Sequence, residues 1–162
     1  MITAARFTVH GTPVPQGSKR VVPTPKGARA IDVNRGPLLA WRQCVIAEAL
    51  EWLVQDGHAT LTGPVGVRAT FLLPPPRSLP KRDTGQWTQR RPDLDKLIRA
   101  VLDALTIARM FGDDAQVARL EVVKRYALPE EPLSVTIDVE QLAPLHVNGD
   151  GVEDPWAQLE LW

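Results

Sequence analysis

The sequence predicts a single α+β domain, in which two main helices pack on a mixed or antiparallel β-sheet. Residues 37–54 and 94–108 carry apolar side chains at helical spacing, whereas shorter stretches alternate apolar and polar residues as strands do. The predicted order is β(β)αβαββ, and this order of strands and helices is typical of the α+β class. A length of 162 residues fits one domain, which we place at residues 1–140, with 141–162 as a tail.

Each predicted element has a local signal. Alternation predicts the strands, the recurrence of Leu38, Trp41, Val45 and Ala49 predicts the first helix, and proline and glycine mark the connections. In chain order the elements are a strand at 5–10, a short strand beginning at 21, a loop at 25–36, a helix at 37–54, a strand at 65–73, a helix at 94–108, and strands at 116–126 and 133–140.

Composition excludes several classes of protein. The single cysteine, Cys44, rules out a disulfide scaffold or a cysteine-rich zinc site, and its place in the first helix predicts a buried thiol. The N-terminal residues show no signal-peptide pattern, and no apolar run approaches the roughly 18 residues of a membrane span. We therefore expect a soluble protein of the cytoplasm.

Charge is distributed unevenly along the chain. The formal net charge is +0, yet residues 1–126 contain all 19 basic residues and only 11 acidic ones, a net charge of +8. Residues 127–162 contain eight acidic residues and no Lys or Arg. A basic body joined to an acidic tail favours a polyanion as the partner of the body, although chance clustering on a solvated surface would give the same asymmetry.

A long polar connection at 74–91 precedes the second helix, and connections of this length are usually functional or mobile. Trp87 lies among its basic residues and would either stack on a base or pack back onto the body. The basic residues of the connection are Arg77, Lys81, Arg82, Arg90 and Arg91.

The second helix carries acidic residues on its outer face. Asp95, Arg99 and Asp103 stand at i, i+4 and i+8, so they share the face opposite the apolar one. Asp93 lies at the helix start. A capping Asp followed by a solvated row of ion pairs would explain these four residues without any functional site.

A further acidic pair, Asp113–Asp114, follows the helix and is not explained in this way. A short loop into the next strand can return these carboxylates to the side of the helix. Clustered carboxylates repel one another and need a cation, and an all-oxygen ligand set suits Mg²⁺ or Mn²⁺. In a basic protein such an ion suits phosphodiester cleavage; an ordinary pair of surface aspartates is the alternative.

The acidic residues also follow a family pattern. Asp93-Leu94-Asp95 is followed by Asp103-Ala104-Leu105 and then by Asp113-Asp114-Ala115-Gln116-Val117. In order and spacing this pattern resembles the signature of RusA-type Holliday junction resolvases, and weaker similarity extends over roughly residues 5–140. The resemblance implies a homodimeric crossover junction endodeoxyribonuclease that nicks two opposed strands in a Mg²⁺-dependent reaction, in DNA recombination and repair. Two symmetric cuts require two symmetric sites.

The resemblance also assigns roles to the carboxylates. The family's essential metal-binding residues fall on Asp93, Asp95 and Asp114. Asp103 and Asp113 are then supporting residues.

The chain departs from the family pattern at the catalytic cation. The type member of the family has a catalytic Lys four residues after the second Asp, where this chain has Arg99. Arg keeps the charge and can grip a phosphate, but it does not deprotonate. Lys96, about 60° round the helix from Arg99, is the other candidate for the missing ammonium.

Contacts to the DNA backbone are expected from cations in the loops, and they should depend strongly on salt. Two other functions remain open: a non-catalytic module that binds DNA junctions, because the lost lysine would mark lost activity, and a nuclease for flaps or other branched DNA. The candidate DNA contacts are Lys19, Arg20, Lys81, Arg82, Arg90 and Arg91.

The tail ends in a short apolar motif. Residues 141–157 predict a flexible acidic linker, after which the chain finishes with Gln158-Leu159-Glu160-Leu161-Trp162. This peptide is similar to the one by which many bacterial replication and repair proteins bind the DNA polymerase sliding clamp, with Trp162 in place of the final Phe. Leu161 and Trp162 would be the apolar anchors. Alternatively, the tail packs on this protein's own domain or shields its DNA-binding face.

Overall fold

The elements follow one another in the predicted order, with additional short strands. The computed structural model describes residues 4–17, 19–32, 34–55, 57–80, 86–144, 147–148 and 151–152. Its elements are β1 (Ala4–His10), β2 (Lys19–Thr24), β3 (Gly27–Asp32), α1 (Arg35–Gln55), β4 (Val65–Leu73), α2 (Leu94–Ile107), a 3₁₀ turn (Asp114–Gln116), β5 (Val117–Tyr126), β6 (Ser134–Gln141), β7 (Val147–Asn148) and β8 (Gly151–Val152).

The main sheet is mixed and has four strands in the order β1–β6–β4–β5. β6 pairs antiparallel with both β1 and β4, whereas β4 pairs parallel with β5. Parallel neighbours need a crossover connection, and α2 lies within it. The predicted α+β class, with a mixed sheet and two main helices, is therefore confirmed.

The core lies between the sheet and the helices. Val65, Ala69 and Phe71 of β4 are fully buried, as their alternation predicted, and so are Leu97 and Val101 of α2. α1 packs against α2 and β1, and α2 also contacts β5. Within the described ranges, no helix is long and apolar enough to cross a membrane.

The other face of the sheet carries charged side chains. Arg68 Nε donates to Glu121 Oε2 at 2.9 Å across the β4–β5 pair, and Arg119 pairs with Glu140. Alternate residues of a strand point to opposite faces of the sheet. The charged residues therefore identify this face as the solvent side, and the helices as the layer that covers the core.

Two local predictions were wrong. The loop predicted at 25–36 contains β3, which pairs antiparallel with β2 in a hairpin. Gly27 follows the hairpin turn with a φ of 120°, a conformation that glycine adopts readily. Cys44 is exposed instead of buried, because it lies beside the buried stripe of α1 and not within it.

The C-terminal part of the chain contributes a short ladder of its own. β7 pairs antiparallel with β8 through Val147 and Val152, within the stretch predicted as a linker. Residues 153–162 lie outside the described residues. The predicted clamp-binding residues Gln158, Leu159, Leu161 and Trp162 therefore lie outside them too.

Candidate active site

The segment before α2, residues 86–93, runs along the edge strand β5, and we call it the strap. The backbone N–H of Tyr126 donates to Gln86 O at 3.0 Å, and Trp87 forms an antiparallel bridge with Arg125. Because β5 is the outer strand of the sheet, the strap covers part of an open edge. The strap ends at Asp93, the N-cap residue of α2.

Lys124 of β5 holds the strap just before Asp93. Its Nζ donates to the carbonyl oxygens of Arg90 and Pro92, each at 2.8 Å. The N–H of Arg90 also donates to the hydroxyl of Thr88 at 3.1 Å, and Thr88 is buried. The backbone that leads to Asp93 is therefore fixed by hydrogen bonds on both sides of Arg91.

Asp93 and Asp95 are both exposed at the start of α2, but their partners differ. Lys96 Nζ lies 2.8 Å from Asp93 Oδ2. The hydrogen bond and the charge of Lys96 lower the pKa of Asp93. Although Asp93 is the N-cap residue, its side chain makes no capping hydrogen bond to the backbone of α2. Among the described residues, the Asp95 carboxylate has neither a hydrogen bond nor an ion pair.

The loop after β1 closes one side of this helix start. The N–H of Gln16 donates to Lys96 O at 2.9 Å, and a cavity of about 390 Å³ lies between the loop and the strap. Its lining includes Asn34, Arg91 and Asp93 as well as Gln16 and Lys96. The Oε1 of Gln16 is buried without a partner among the described residues. Polar and charged side chains therefore form part of the cavity wall, where the cations Arg91 and Lys96 lie beside the Asp93 carboxylate.

The second aspartate pair lies beyond the other end of α2. Asp113 Oδ1 accepts the N–H of Ala115 at 2.8 Å, and Gln116 Oε1 accepts the N–H of Asp113 at 3.1 Å. These reciprocal bonds form a capping box, which uses Asp113 to begin the 3₁₀ turn. Asp114 is exposed, and within the described part of the chain its carboxylate makes no hydrogen bond or ion pair.

The structure does not join the predicted carboxylates into one preformed cluster. α2 is about 21 Å long, and Asp114 follows its far end, although the 3₁₀ turn contacts α2. In the ranges that the structure describes, no three carboxylate, imidazole or thiol groups are placed to hold a metal ion together. The oxygen donors still fit a hard cation, because Mg²⁺ needs only one or two carboxylates beside water and substrate phosphates.

The row of ion pairs along α2, the alternative explanation of these residues without a functional site, is not formed among the described residues. Asp103 pairs with Arg42 of α1, so it ties the two helices together. Arg99 is exposed and, among the described residues, pairs with neither Asp95 nor Asp103. Asp103 therefore joins α2 to α1, and the side chain of Arg99 is exposed to solvent.

Part of the predicted DNA-contacting set lies in the strap. Arg90 and Arg91 are exposed there, as expected for contacts to a phosphate backbone. Trp87 is 74% exposed, so its ring is not packed into the body. The side chains of Lys19, Arg20, Lys81 and Arg82 lie outside the described residues.

Sequence reasoning missed three residues that shape the site: Lys124, Gln116 and Arg42. Gln116 had a readable signal, because an Asp followed three residues later by Gln is the capping-box pattern. Arg42 and Lys124 had none, since Arg42 lies 61 positions from Asp103 and Lys124 lies 32 positions from Pro92.

The fold and the site together define a class, namely small α+β proteins whose exposed carboxylates and arginines suit work on a phosphate backbone. A family model described as Endodeoxyribonuclease RusA matches residues 10–140. Because the match covers most of the chain, the protein belongs to the RusA endodeoxyribonuclease family, and the predicted resemblance is confirmed. No curated protein matches the chain.

Proposed function

We propose that this protein is a Mg²⁺-dependent endonuclease that resolves Holliday junctions by paired symmetric nicks, in DNA recombination and repair. The observation that carries the proposal is that Asp95 and Asp114, at opposite ends of α2 in a RusA-family chain, have exposed carboxylates without a partner among the described residues. A carboxylate without a partner in the described structure is available to a cation. In a family of DNA-cleaving enzymes, such a cation would assist hydrolysis of the phosphodiester bond.

Asp93, Asp95 and Asp114 would hold the Mg²⁺, or Mn²⁺ in its place. When bound, the ion would neutralise phosphate charge and lower the pKa of an attacking water. All three side chains are exposed, and exposed side chains change rotamer within nanoseconds. Asp93 and Asp95 can therefore turn towards an ion in the presence of the DNA phosphate, and Lys96 already favours the ionised form of Asp93. Asp114 lies beyond the far end of α2, so rotation of its side chain alone would not bring it to the same ion, and it would have to join from the second copy in a homodimer or through a larger rearrangement.

Arg99 is the stronger candidate for the residue that stabilises charge on the phosphate. Its guanidinium is exposed and makes no ion pair among the described residues, and guanidinium binds phosphate oxygens in a bidentate manner. The Lys96 ammonium instead lies against Asp93. Because Arg does not deprotonate, Arg99 would take no part in proton transfer.

DNA would approach along the strap. Arg90 is exposed there, and Arg91 lines the cavity beside Asp93, so a backbone phosphate could be held next to the carboxylates. Lys19, Arg20, Lys81 and Arg82 would extend this contact. Two opposed nicks require two copies of the site, and a homodimer with two-fold symmetry supplies them.

The test is a cleavage assay on a synthetic four-way junction, with and without Mg²⁺, beside a flap and a plain duplex. We expect paired nicks in the junction only when Mg²⁺ is present. Asp95→Asn should abolish cleavage and leave junction binding largely intact. Cleavage by Asp95→Asn in Mg²⁺ would refute the metal role, a gel shift without nicks would indicate a binding module, and preferred cutting of the flap would indicate another branched-DNA nuclease.

We also propose that Gln158, Leu159, Leu161 and Trp162 bind a bacterial DNA polymerase sliding clamp. The support is the likeness of Gln158-Leu159-Glu160-Leu161-Trp162 to a clamp-binding peptide, with Leu161 and Trp162 as apolar anchors after an acidic stretch. A pull-down with purified clamp should retain the full chain and lose a chain that ends at Ala157. Equal retention of both chains would contradict this assignment.

A further inference from the structure

One side chain of the neighbouring strand holds the backbone just before Asp93, whose own carbonyl accepts the N–H of Leu97 in α2. Lys124 Nζ lies 2.8 Å from Arg90 O and 2.8 Å from Pro92 O. A lysine ammonium has three N–H donors, so two of them are aimed at carbonyls of the strap. These are the carbonyls on either side of Arg91, and the second belongs to the residue directly before Asp93.

Other contacts hold the beginning of the strap without Lys124. Gln86 is bonded to Tyr126, and Trp87 is bridged to Arg125. Removal of the ammonium would therefore leave the strap on the sheet edge and release only its last part. Lys124 has this local effect because its side chain crosses from β5 to the end of the strap.

We propose that Lys124 is a positioning residue of the nuclease site, which fixes the backbone that carries Asp93 so that its carboxylate is placed to bind metal. This inference rests on the proposed function. Among the described residues, Lys124 makes its hydrogen bonds to backbone carbonyls, whereas the partner of the Asp93 carboxylate is Lys96. Lys124 therefore acts through Asp93 and is not itself a catalytic residue.

Three variants test this inference on the full chain. Lys124→Met removes the donors and keeps most of the stem, and Lys124→Arg keeps a charged donor. Lys26→Met is the matched control, because Lys26 lies exposed in the turn between β2 and β3. Amide hydrogen exchange of residues 88–96 reports on the backbone, and the free Mn²⁺ signal in electron paramagnetic resonance reports on metal binding without DNA.

We expect Lys124→Met to speed exchange around Asp93 and to weaken Mn²⁺ binding roughly tenfold, the lower end of the effect of removing a group that orients a metal ligand. Exchange at Tyr126 should stay as in the wild type. Lys124→Arg should recover most of both losses, and Lys26→Met should show neither. Thermal unfolding establishes that each variant is folded, and Lys124→Gln replaces Lys124→Met if the latter does not fold.

Wild-type exchange together with wild-type Mn²⁺ binding in Lys124→Met would overturn the inference, and so would faster exchange that leaves Mn²⁺ binding unchanged. Equal losses in Lys26→Met would also overturn it, because the effect would then not be specific to Lys124. If the wild-type protein itself bound no Mn²⁺, the proposed metal site would fail. Hydrogen exchange in the strap alone would then decide whether Lys124 positions Asp93.

Discussion

The two ends of α2 each present a pair of aspartates, and the two pairs are held in different ways. At the start, Asp93 is paired with the side chain of Lys96, 2.8 Å away, while Asp95 has no partner among the described residues. Beyond the other end, Asp113 is bonded to the backbone N–H of Ala115, while Asp114 has no partner in the same ranges.

The difference separates a carboxylate that can change partners from one that cannot. A lysine side chain is long and flexible, so Asp93 can exchange Lys96 for a cation at little conformational cost. A capping bond is part of the backbone structure, and its loss would disturb the turn. Of these four aspartates, Asp113 is therefore the one whose carboxylate is used in the backbone structure.

The largest expected effect distinguishes the two adjacent aspartates beyond the C-terminal end of α2, Asp113 and Asp114, by substituting each in turn. Asp114→Asn should reduce junction cleavage by at least about 100-fold, because loss of a ligand exceeds loss of an outer partner. Asp113→Asn should stay within a few-fold of wild type, since Asn caps about as well as Asp. Single-turnover cleavage in Mg²⁺ measures both variants, and equal losses would contradict the division of roles.

The next largest effect concerns Arg91, which lies in the strap just before α2. Arg91→Ala should weaken junction binding and reduce the slope of log affinity against log salt by about 1, as expected for one phosphate contact. The control is Arg109→Asn at the other end, because Arg109 has a φ of 62° that Asn tolerates. Binding is measured by fluorescence anisotropy over a salt series without Mg²⁺. An unchanged slope in Arg91→Ala would remove Arg91 from the DNA contacts.

A smaller effect is expected on stability. Asp113→Ala removes the cap of the 3₁₀ turn and should lower the free energy of unfolding by about 1 kcal/mol. This loss corresponds to a fall in Tm of roughly 2–4 °C for a chain of this size. Asp113→Ser, which can still cap, should recover most of the loss. Calorimetry of the wild type, Asp113→Ala and Asp113→Ser measures the three Tm values. A Tm for Asp113→Ala equal to that of the wild type would show that the capping box does not contribute to stability.

The smallest effect is on titration at the helix start. Lys96 lowers the pKa of Asp93, so Lys96→Met should move that pKa back up towards the ordinary Asp range. The stabilisation from this pair is present above the unfolded pKa of Asp and is lost as pH falls through the lowered folded pKa. Carboxyl ¹³C NMR across an acid titration measures the change. An Asp93 pKa that does not rise in Lys96→Met would contradict the pairing.

Much of the fold could be predicted because buried apolar residues recur at a regular spacing along the sequence. Leu97, Val101 and Leu105 recur at helical spacing, and all three are fully buried. The hairpin of β2 and β3 was missed for the opposite reason. Val21, Pro23 and Ala28 are exposed, so this two-stranded ladder buries no face that would impose alternation. Proline is also compatible with such an edge pairing.

The candidate site could be predicted only in part. Spacing along α2 placed Asp95 and Arg99 on the exposed side, since residues of one helix have fixed relative positions. Spacing also suggested that Arg99 pairs with Asp103, but Asp103 pairs with Arg42 of the other helix. Contacts between elements depend on packing, which no local pattern records. The role of Lys124 was unpredictable for the same reason.

The strap has a consequence for how molecules of this protein meet one another. An uncovered outer strand offers free N–H and C=O groups to any extended chain and so invites intermolecular pairing. The strap occupies that position along part of β5 and at the same time leads into Asp93. A proteolytic cut or substitution that detached the strap should therefore produce self-association together with loss of cleavage, and the two defects would share a single cause.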